Sequence, residues 1–399
     1  MVPYVVAFLL SSLVVYFAST RCKMPIVFRF SLWLIADIIV SILAAVRDFS
    51  VAGPDADLYG VPLFLDAVGS DSFRQLEQYA NFRGISGEWG YVALNYVVSR
   101  FSSDPHWFFF FLGMLTYGVV LGAIKVINIG SPTLMWLTYL LMGYIDTCNL
   151  LRQSPAMSLS ILGIALLFRK HYVIGLLVST STILFHGSGV VAIFLFLLSW
   201  LLYRHTFLLR TRIASVLLLA SIVVVYSPQL MPFASELVSD KYEVYLSNNA
   251  FLGNPLGVET LYRLIPIIGG ILVLLASRRA TFGDNLSRSV VSEYGAIKSA
   301  RQSPHLNPAR WMLGVLIVVL VIELILLPTR TIAYPIYRVI NYFGMVRVFA
   351  YSIIAELSPP KIRKLVQVAI ILFCLLYFFY MYIWNGIGIY SSQILDQLL

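Results

Sequence analysis

Residues 172–203 read YVIGLLVSTSTILFHGSGVVAIFLFLLSWLLY, an apolar run interrupted midway by Phe185-His186-Gly187-Ser188. Arg169-Lys170 precede it and Arg204 follows. One membrane helix needs about 20 apolar residues, and basic loops stay on the cytoplasmic side. The run is too long for one comfortable crossing, and a single crossing would place one basic flank on the wrong side. Two short helices turning at His186-Gly187 meet both constraints. An all-α membrane protein is therefore expected, with the turn and its imidazole toward the outer face.

Composition agrees. Hydrophobic residues make up 59% of the 399, charged residues only 12%, and mean hydropathy is +0.85, which excludes a soluble globule. The net charge of +9 is scattered singly and in pairs between apolar segments. Such scatter reads as loop topology rather than a nucleic-acid-binding face, so no nucleic acid is expected as a partner. The first apolar segment, Val2 to Phe17, has no basic residues before it and Arg21 and Lys23 after it, the wrong polarity for a cleaved signal peptide. Cys22, Cys148 and Cys374 stand singly, so neither a disulfide nor a structural zinc is expected.

Hydropathy predicts about twelve transmembrane helices, near 2–18, 26–46, 106–124, 132–148, 154–168, 172–185, 188–203, 213–227, 261–277, 311–327, 331–353 and 365–384. The chain 1–399 reads as a single integral membrane domain. With Arg21–Lys23 cytoplasmic the later loops alternate, and 17 of the 28 Lys and Arg residues fall on the cytoplasmic side. Of the acids, only Asp284, Glu293 and Glu356 join them, while Asp37 lies within a span. Acids steer topology weakly, so their collection outside asks for another cause. Two outer loops are long, 47–105 and 228–260. In the first, Leu94, Val97, Val98 and Phe101 at i, i+3, i+4, i+7 spacing predict an interfacial amphipathic helix over 89–101. The cytoplasmic loop 278–310 is rich in Ser, Arg and Asn, and no internal repeat is visible.

The outer polar residues form several constellations. Arg47 and Asp48 end the second span and precede Gly53-Pro54-Asp55-Ala56-Asp57-Leu58-Tyr59, whose Gly-Pro turn would hold Asp55 and Asp57 near Arg47. An Asp-x-Asp pair can ligate Mg or Mn carrying a phosphate; a solvated acidic turn is the plainer alternative, and no metal is assigned. Glu88, ahead of Trp89-Gly90-Tyr91, either complements a helix dipole or binds a sugar hydroxyl or takes a proton. In Asn149-Leu150-Leu151-Arg152-Gln153-Ser154-Pro155, Ser154 and Pro155 suit the N-cap and first turn of the fifth span. Arg152 beside that helix start suits an anion, or snorkels to lipid headgroups. His186 sits at a helix break in the outer half of the membrane, where polar groups are costly and tend to be functional; a purely structural imidazole is the alternative. Arg330 and Arg338 begin the eleventh span, with Tyr342 one turn beyond Arg338. Glu323, an outer-loop acid or a ligand phosphate would partner Arg338, and Arg263 is a weaker candidate of the same kind.

Taken in order, Arg47, Gly53-x-Asp55 with Tyr59, Glu88-x-Gly90-Tyr91, Asn149-x-x-Arg152-Gln153, Phe185-His186-x-Ser188 and Arg338-x-x-x-Tyr342-Phe343 resemble the EpsG-like branch of the Wzy-type polysaccharide polymerases, over roughly residues 40–350. Pro54 departs from that pattern, where a small polar residue is more usual, and Asp57 is not carried over. The resemblance implies a GT-C-like glycosyltransferase of the bacterial cytoplasmic (inner) membrane with its site facing outward. Such an enzyme joins polyprenyl-pyrophosphate-linked oligosaccharide repeats into O-antigen, capsule or exopolysaccharide, using no nucleotide sugar and no cofactor. Donor and acceptor would both be lipid-linked, with the lipid bilayer and a chain-length regulator as further partners. On this reading Arg152 and Arg338, with Arg47 in second rank, bind pyrophosphate. His186 is the general base with Glu88 or Asp55 in reserve, and Asn149, Gln153, Tyr59, Tyr91, Tyr342 and Ser188 bind substrate. The alternative class is a lipid-linked oligosaccharide flippase or secondary transporter. Those folds usually show pseudo-symmetric halves and a midplane site, whereas here the polar motifs collect on one side. A membrane acyltransferase is weaker still, since none of the five His begins a His-x-x-x-Asp string.

Overall fold

In lipid a backbone must satisfy its own N–H and C=O groups, and this chain does so with helices. The computed structural model describes residues 2–20, 24–49, 55–204, 213, 215, 260–276, 308–328, 334–384, 390–392 and 394, among which there is no strand. Six stretches are long and apolar enough to cross a membrane: Val2–Ser19 (α1), Ile26–Ala45 (α2), Pro105–Ile127, Pro308–Leu326, Arg338–Leu357 and Arg363–Ile383. Four apolar helices are shorter: Gln153–Phe168, Tyr172–Leu184, Gly187–Tyr203 and Thr260–Ala276. The described residues are all-helical, as suits a polytopic membrane protein. The expected span 213–227 lies outside the described residues except for Ile213 and Ser215, as do most of loops 228–260 and 278–310, the Arg21–Lys23 turn, Gly53-Pro54 and Arg330.

Between α2 and the third long helix, the chain forms three short ones: α3 (Val61–Val68), α4 (Phe73–Phe82) and α5 (Trp89–Ser99). They pack on α6 (Pro105–Ile127) through Leu63, Phe64, Leu76, Tyr91 and Phe108, all fully buried. α5 buries Tyr91, Val92, Asn95 and Val98 and leaves Val97 more than half exposed, as is Phe101 just past its end. Asn95, off the apolar stripe of Leu94, Val97 and Val98, is nonetheless inside, where its Nδ2 donates to the Tyr91 carbonyl at 2.9 Å.

α7 (Pro132–Asn149) ties the first helices together by polar contacts. Trp136 Nε1 donates to Ser11 Oγ at 2.8 Å, Ser11 donates to the Ala36 carbonyl at 2.7 Å, and Tyr144 donates to the Val40 carbonyl at 3.0 Å. Lipid offers no hydrophobic drive between helices, so small residues and such hydrogen bonds hold them. α8 (Gln153–Phe168) uses small residues: a Cβ at Gly163 would collide with Ser179 Oγ and stand 3.1 Å from the Gly175 carbonyl of α9 (Tyr172–Ser181). α8 is buried on nearly every side, between α6, α9 and α10 (Val190–Arg204). Outward, Leu9, Leu177, Phe194 and Leu372 are half or more exposed, a surface suited to lipid.

Two sequence expectations change here. Ser154 does not cap the fifth span: the turn 150–154 runs straight into α8, with the Ser154 N–H donating to Leu150 O at 2.8 Å, so Arg152 holds the N-cap position. The Ser154 hydroxyl turns back to Leu150 O and Thr147 O, and Pro155 falls in the first turn, where its missing N–H is no loss. The eleventh span is not one helix. After α11 (Thr260–Ala276) and α12 (Pro308–Leu326), α13 (Tyr334–Gly344) and α14 (Arg347–Leu357) break at Met345-Val346 before α15 (Arg363–Phe378). Arg347 swings in at that break to pair with Glu323 of α12, and Gly344 leaves room for the pair: a Cβ there would lie 2.7 Å from Arg347 Nη1.

Candidate functional site

The predicted break in residues 172–203 is present. α9 tightens into a 3-10 turn at Thr182–Leu184, Phe185 and His186 leave the helix, and a second 3-10 turn, Gly187–Gly189, leads into α10. Tyr172–Leu184 rises only about 20 Å, short of a hydrocarbon core of about 30 Å. His186 caps the second turn with extended backbone, its Nδ1 accepting from the Ser188 N–H at 3.1 Å. Thr182 locks the break: its hydroxyl oxygen lies 2.7 Å from the Ser179 carbonyl and 2.8 Å from that of Gly189.

The two glycines of this turn differ. A Cβ at Gly189 would sit 2.6–2.8 Å from backbone atoms of Thr182 and Ile183, whereas one at Gly187 meets nothing within 4 Å. Gly187→Ala is expected to leave activity and stability near wild type. Gly189→Ala must displace the backbone that aims His186, at about 1–3 kcal/mol for such overpacking, and is expected to lower activity tenfold or more. Parallel thermal unfolding and activity measurements on the two variants check this.

Four distant segments meet at this turn. Gly87, at φ +77°, swings the chain into Glu88, the N-cap residue of α5. α5 approaches the break closely because position 90 is glycine: a Cβ there would lie 3.0 Å from the Leu184 carbonyl and 3.2 Å from the Phe185 ring. Glu88 Oε1 accepts from the Gly187 N–H at 3.3 Å, and its Oε2 from Arg152 Nη1 at 2.8 Å. Both side chains of that pair are about nine-tenths buried. Arg152 lies 4.6 Å over the Tyr59 ring, and its Nε is buried without a hydrogen-bond partner.

Arg338 of α13 closes the cluster. Its Nη1 stands 3.5 Å from His186 Nε2, and its Nη2 lies 3.8 Å from Asp55 Oδ1. Asp55, not Glu323, is thus its acidic partner, and Asp55 faces Arg338 rather than Arg47. Asp57 is exposed while Asp55 is buried, so the two carboxylates do not share one pocket. On the other side of the imidazole, Nδ1 is 2.6 Å from Ser188 Oγ, which donates to Tyr342 Oη at 3.3 Å. Gln153 Nε2 donates to the Arg338 carbonyl at 2.5 Å, joining α8 to α13. Burial pushes the Glu88 and Asp55 carboxyls up from the ordinary range, against the pull of Arg152 on the first and of Arg338 and Arg152 on the second.

The remaining candidates lie at the margin. Tyr91 is fully buried beneath Glu88, its ring edge-on to Phe108 at 5.6 Å. Asn149 ends α7 half-buried, and among the described residues its side chain has no hydrogen bond into the cluster. Arg47 donates from Nη2 to the Cys148 carbonyl at 2.6 Å and lies 6.0 Å from the Phe109 ring centroid. It walls a separate small cavity with Thr116, Tyr117 and Thr147. The Gly187 N–H and Thr182, absent from the sequence candidates, belong to the site; only the close spacing of Thr182 to Phe185-His186 hinted at them.

The geometry offers two guanidinium groups, two carboxylates and one imidazole around one point, a set suited to a doubly charged oxyanion and a proton transfer. The family model described as the EpsG family matches residues 31–395, nearly the whole chain. No curated protein and no solved structure matches.

Proposed function

We propose that this chain, which belongs to the EpsG family, a Wzy-like polymerase family, is a GT-C-type glycosyltransferase that polymerises lipid-linked oligosaccharide repeats by inverting transfer at the Arg152–Glu88–His186–Arg338 cluster. The convergence of Glu88, Arg152, His186 and Arg338 from four separate segments is the observation that carries this reading. The basic loops on the opposite side of the predicted topology support an outward-facing site in a bacterial cytoplasmic membrane.

In the proposed step, an acceptor hydroxyl oxygen forms a bond to C1 of the donor sugar. The bond from C1 to the diphosphate oxygen breaks, its electron pair leaves with polyprenyl diphosphate, and the hydroxyl proton passes to His186 Nε2. Arg152 and Arg338 stabilise the charge growing on the leaving diphosphate, an interaction stronger in the transition state than before it. Glu88 holds Arg152 in place and Asp55 faces Arg338.

His186 needs its proton on Nδ1 for this role. The Ser188 N–H favours Nδ1 as an acceptor, but Arg338, a donor only, favours an unprotonated Nε2. The Nδ1–H tautomer gives up the bond from the Ser188 N–H and donates to Ser188 Oγ instead, which passes its own hydrogen to Tyr342. The Arg338 guanidinium 3.5 Å away repels a proton arriving at Nε2. A diphosphate engaging Arg338 offsets that repulsion when the donor is bound.

The reading is tested with the purified protein in lipid nanodiscs and polyprenyl-diphosphate-linked repeat units as the sole sugar source. A ladder of longer saccharides with release of polyprenyl diphosphate is expected, undiminished by excess chelator. A requirement for a nucleotide sugar, or no elongation, would overturn it.

A further inference from the structure

Beside the cluster lies a second cavity of about 60 Å³, with several polar side chains among its apolar walls. Its walls come from α7, α8, α11, α12, α13, α14 and α15. Leu150 and Met157 flank Arg152-Gln153 on one side, and Asn341 stands next to Tyr342 on the other. The two sites therefore share α8 and α13.

The chemistry of this cavity differs from that of the first site. Glu323 Oε1 accepts from Arg347 Nη2 and lies 3.4 Å from Arg263 Nε. Both guanidinium groups lie over the ring of Tyr262, at 5.3 and 5.4 Å from its centroid. Glu323 is 1% exposed, and its Oε2 is buried without a hydrogen-bond partner; the same holds for Arg347 Nε. One unused acceptor and one unused donor thus belong to an adjacent ion pair. Asp146, the Asn341 amide and the Thr138 and Tyr139 hydroxyls line the same space.

A phosphate would use the donor but set its oxygens against two carboxylates, Glu323 and Asp146, so their charges offset those of Arg263 and Arg347. A hydroxyl satisfies both orphaned atoms at once, donating to Glu323 and accepting from Arg347. Leaving such groups buried and unpaired is costly, and planar carboxylate, guanidinium and amide groups with aromatic walls suit a ring bearing several hydroxyls. We infer that this cavity is a saccharide subsite, which holds a hydroxyl-bearing sugar ring of the lipid-linked repeat unit between Glu323 and Arg347 while its diphosphate occupies the Arg152–Arg338 site. The inference rests on the polymerase reading for its substrate class.

The test measures two probes on the full-length protein in nanodiscs by titration. One is the repeat-unit oligosaccharide released by mild acid from the polymer of the producing cell; the other is farnesyl diphosphate. Glu323→Gln is expected to weaken oligosaccharide binding about tenfold or more, the worth of a hydrogen bond to a charged group, and to leave farnesyl diphosphate binding within twofold. Gly143→Leu adds bulk to the cavity wall, where a Cβ makes only ordinary 3.5 Å contact with Tyr139, and is expected to do the same if Glu323→Gln fails to fold. Unchanged oligosaccharide binding in these variants, as expected of a merely hydrated cavity, overturns the inference. So does a clear gain of farnesyl diphosphate binding in Glu323→Gln, which marks a second phosphate site relieved of a repelling carboxylate. Wild-type turnover in Arg338→Ala would instead count against the polymerase site, whatever the sugar arm shows.

Discussion

Arg338→Ala is expected to slow polymer formation by about 10²–10³-fold, the usual effect of removing one preorganised stabiliser of a developing oxyanion. The fall should appear mainly in kcat, because the diphosphate carries more charge in the transition state than in the bound donor. Arg338 reaches both His186 and Asp55 from α13, so the replacement also removes the cation that gates the imidazole. Arg338→Lys restores the charge but not the planar fork that spans two oxygens, and it is expected to recover only a small part of the rate. Single-turnover rates with purified protein measure this. Wild-type turnover in Arg338→Ala would exclude the guanidinium from the chemistry.

His186→Ala is expected to lose about 10²–10⁴ in rate, the range for a general base. Alanine alone does not separate base from structural cap, because His186 in its other tautomer accepts from the Ser188 N–H at the start of the turn. Asn is among the best cap residues and offers an acceptor there, so His186→Asn keeps the turn while removing the proton acceptor. The account predicts that His186→Asn unfolds at the wild-type temperature and is as slow as His186→Ala, with the acidic limb of the pH–rate profile gone. Activity of His186→Asn within about fivefold of wild type would make the imidazole a cap and return the base to Glu88 or Asp55.

Much of this arrangement is legible in the chain, for identifiable reasons. The break in residues 172–203 follows from length and flanking charge, which are local quantities. The gathering of Glu88, Arg152, His186 and Arg338 agrees with the common side that the predicted topology gives them, which needs only counting. Partner identity is different. Arg338 pairs with Asp55 while Glu323 pairs with Arg347, which sits just past the interruption at Met345-Val346 between α13 and α14, a feature hidden inside one predicted span. Ser154 looks like a cap, yet the helix entry is decided by the turn from Leu150, so its hydroxyl is spent on carbonyls behind it. Asn95 looks solvated on a helical wheel and is buried once α3 and α6 close over α5. Thr182 and Gly189 are ordinary residues of apolar helices until the fold brings them into contact.

The most direct test of the central claim is the fate of the repeat unit in cells whose only copy of the protein carries Arg338→Ala. A polymerase with an outward site predicts that single lipid-linked repeat units accumulate on the outer face of the membrane, where an impermeant galactose- or hexosamine-labelling enzyme reaches them, while long polymer disappears. Accumulation on the inner face would indicate a flippase, and long polymer at the wild-type level would mean that this cluster is not where the chain is extended.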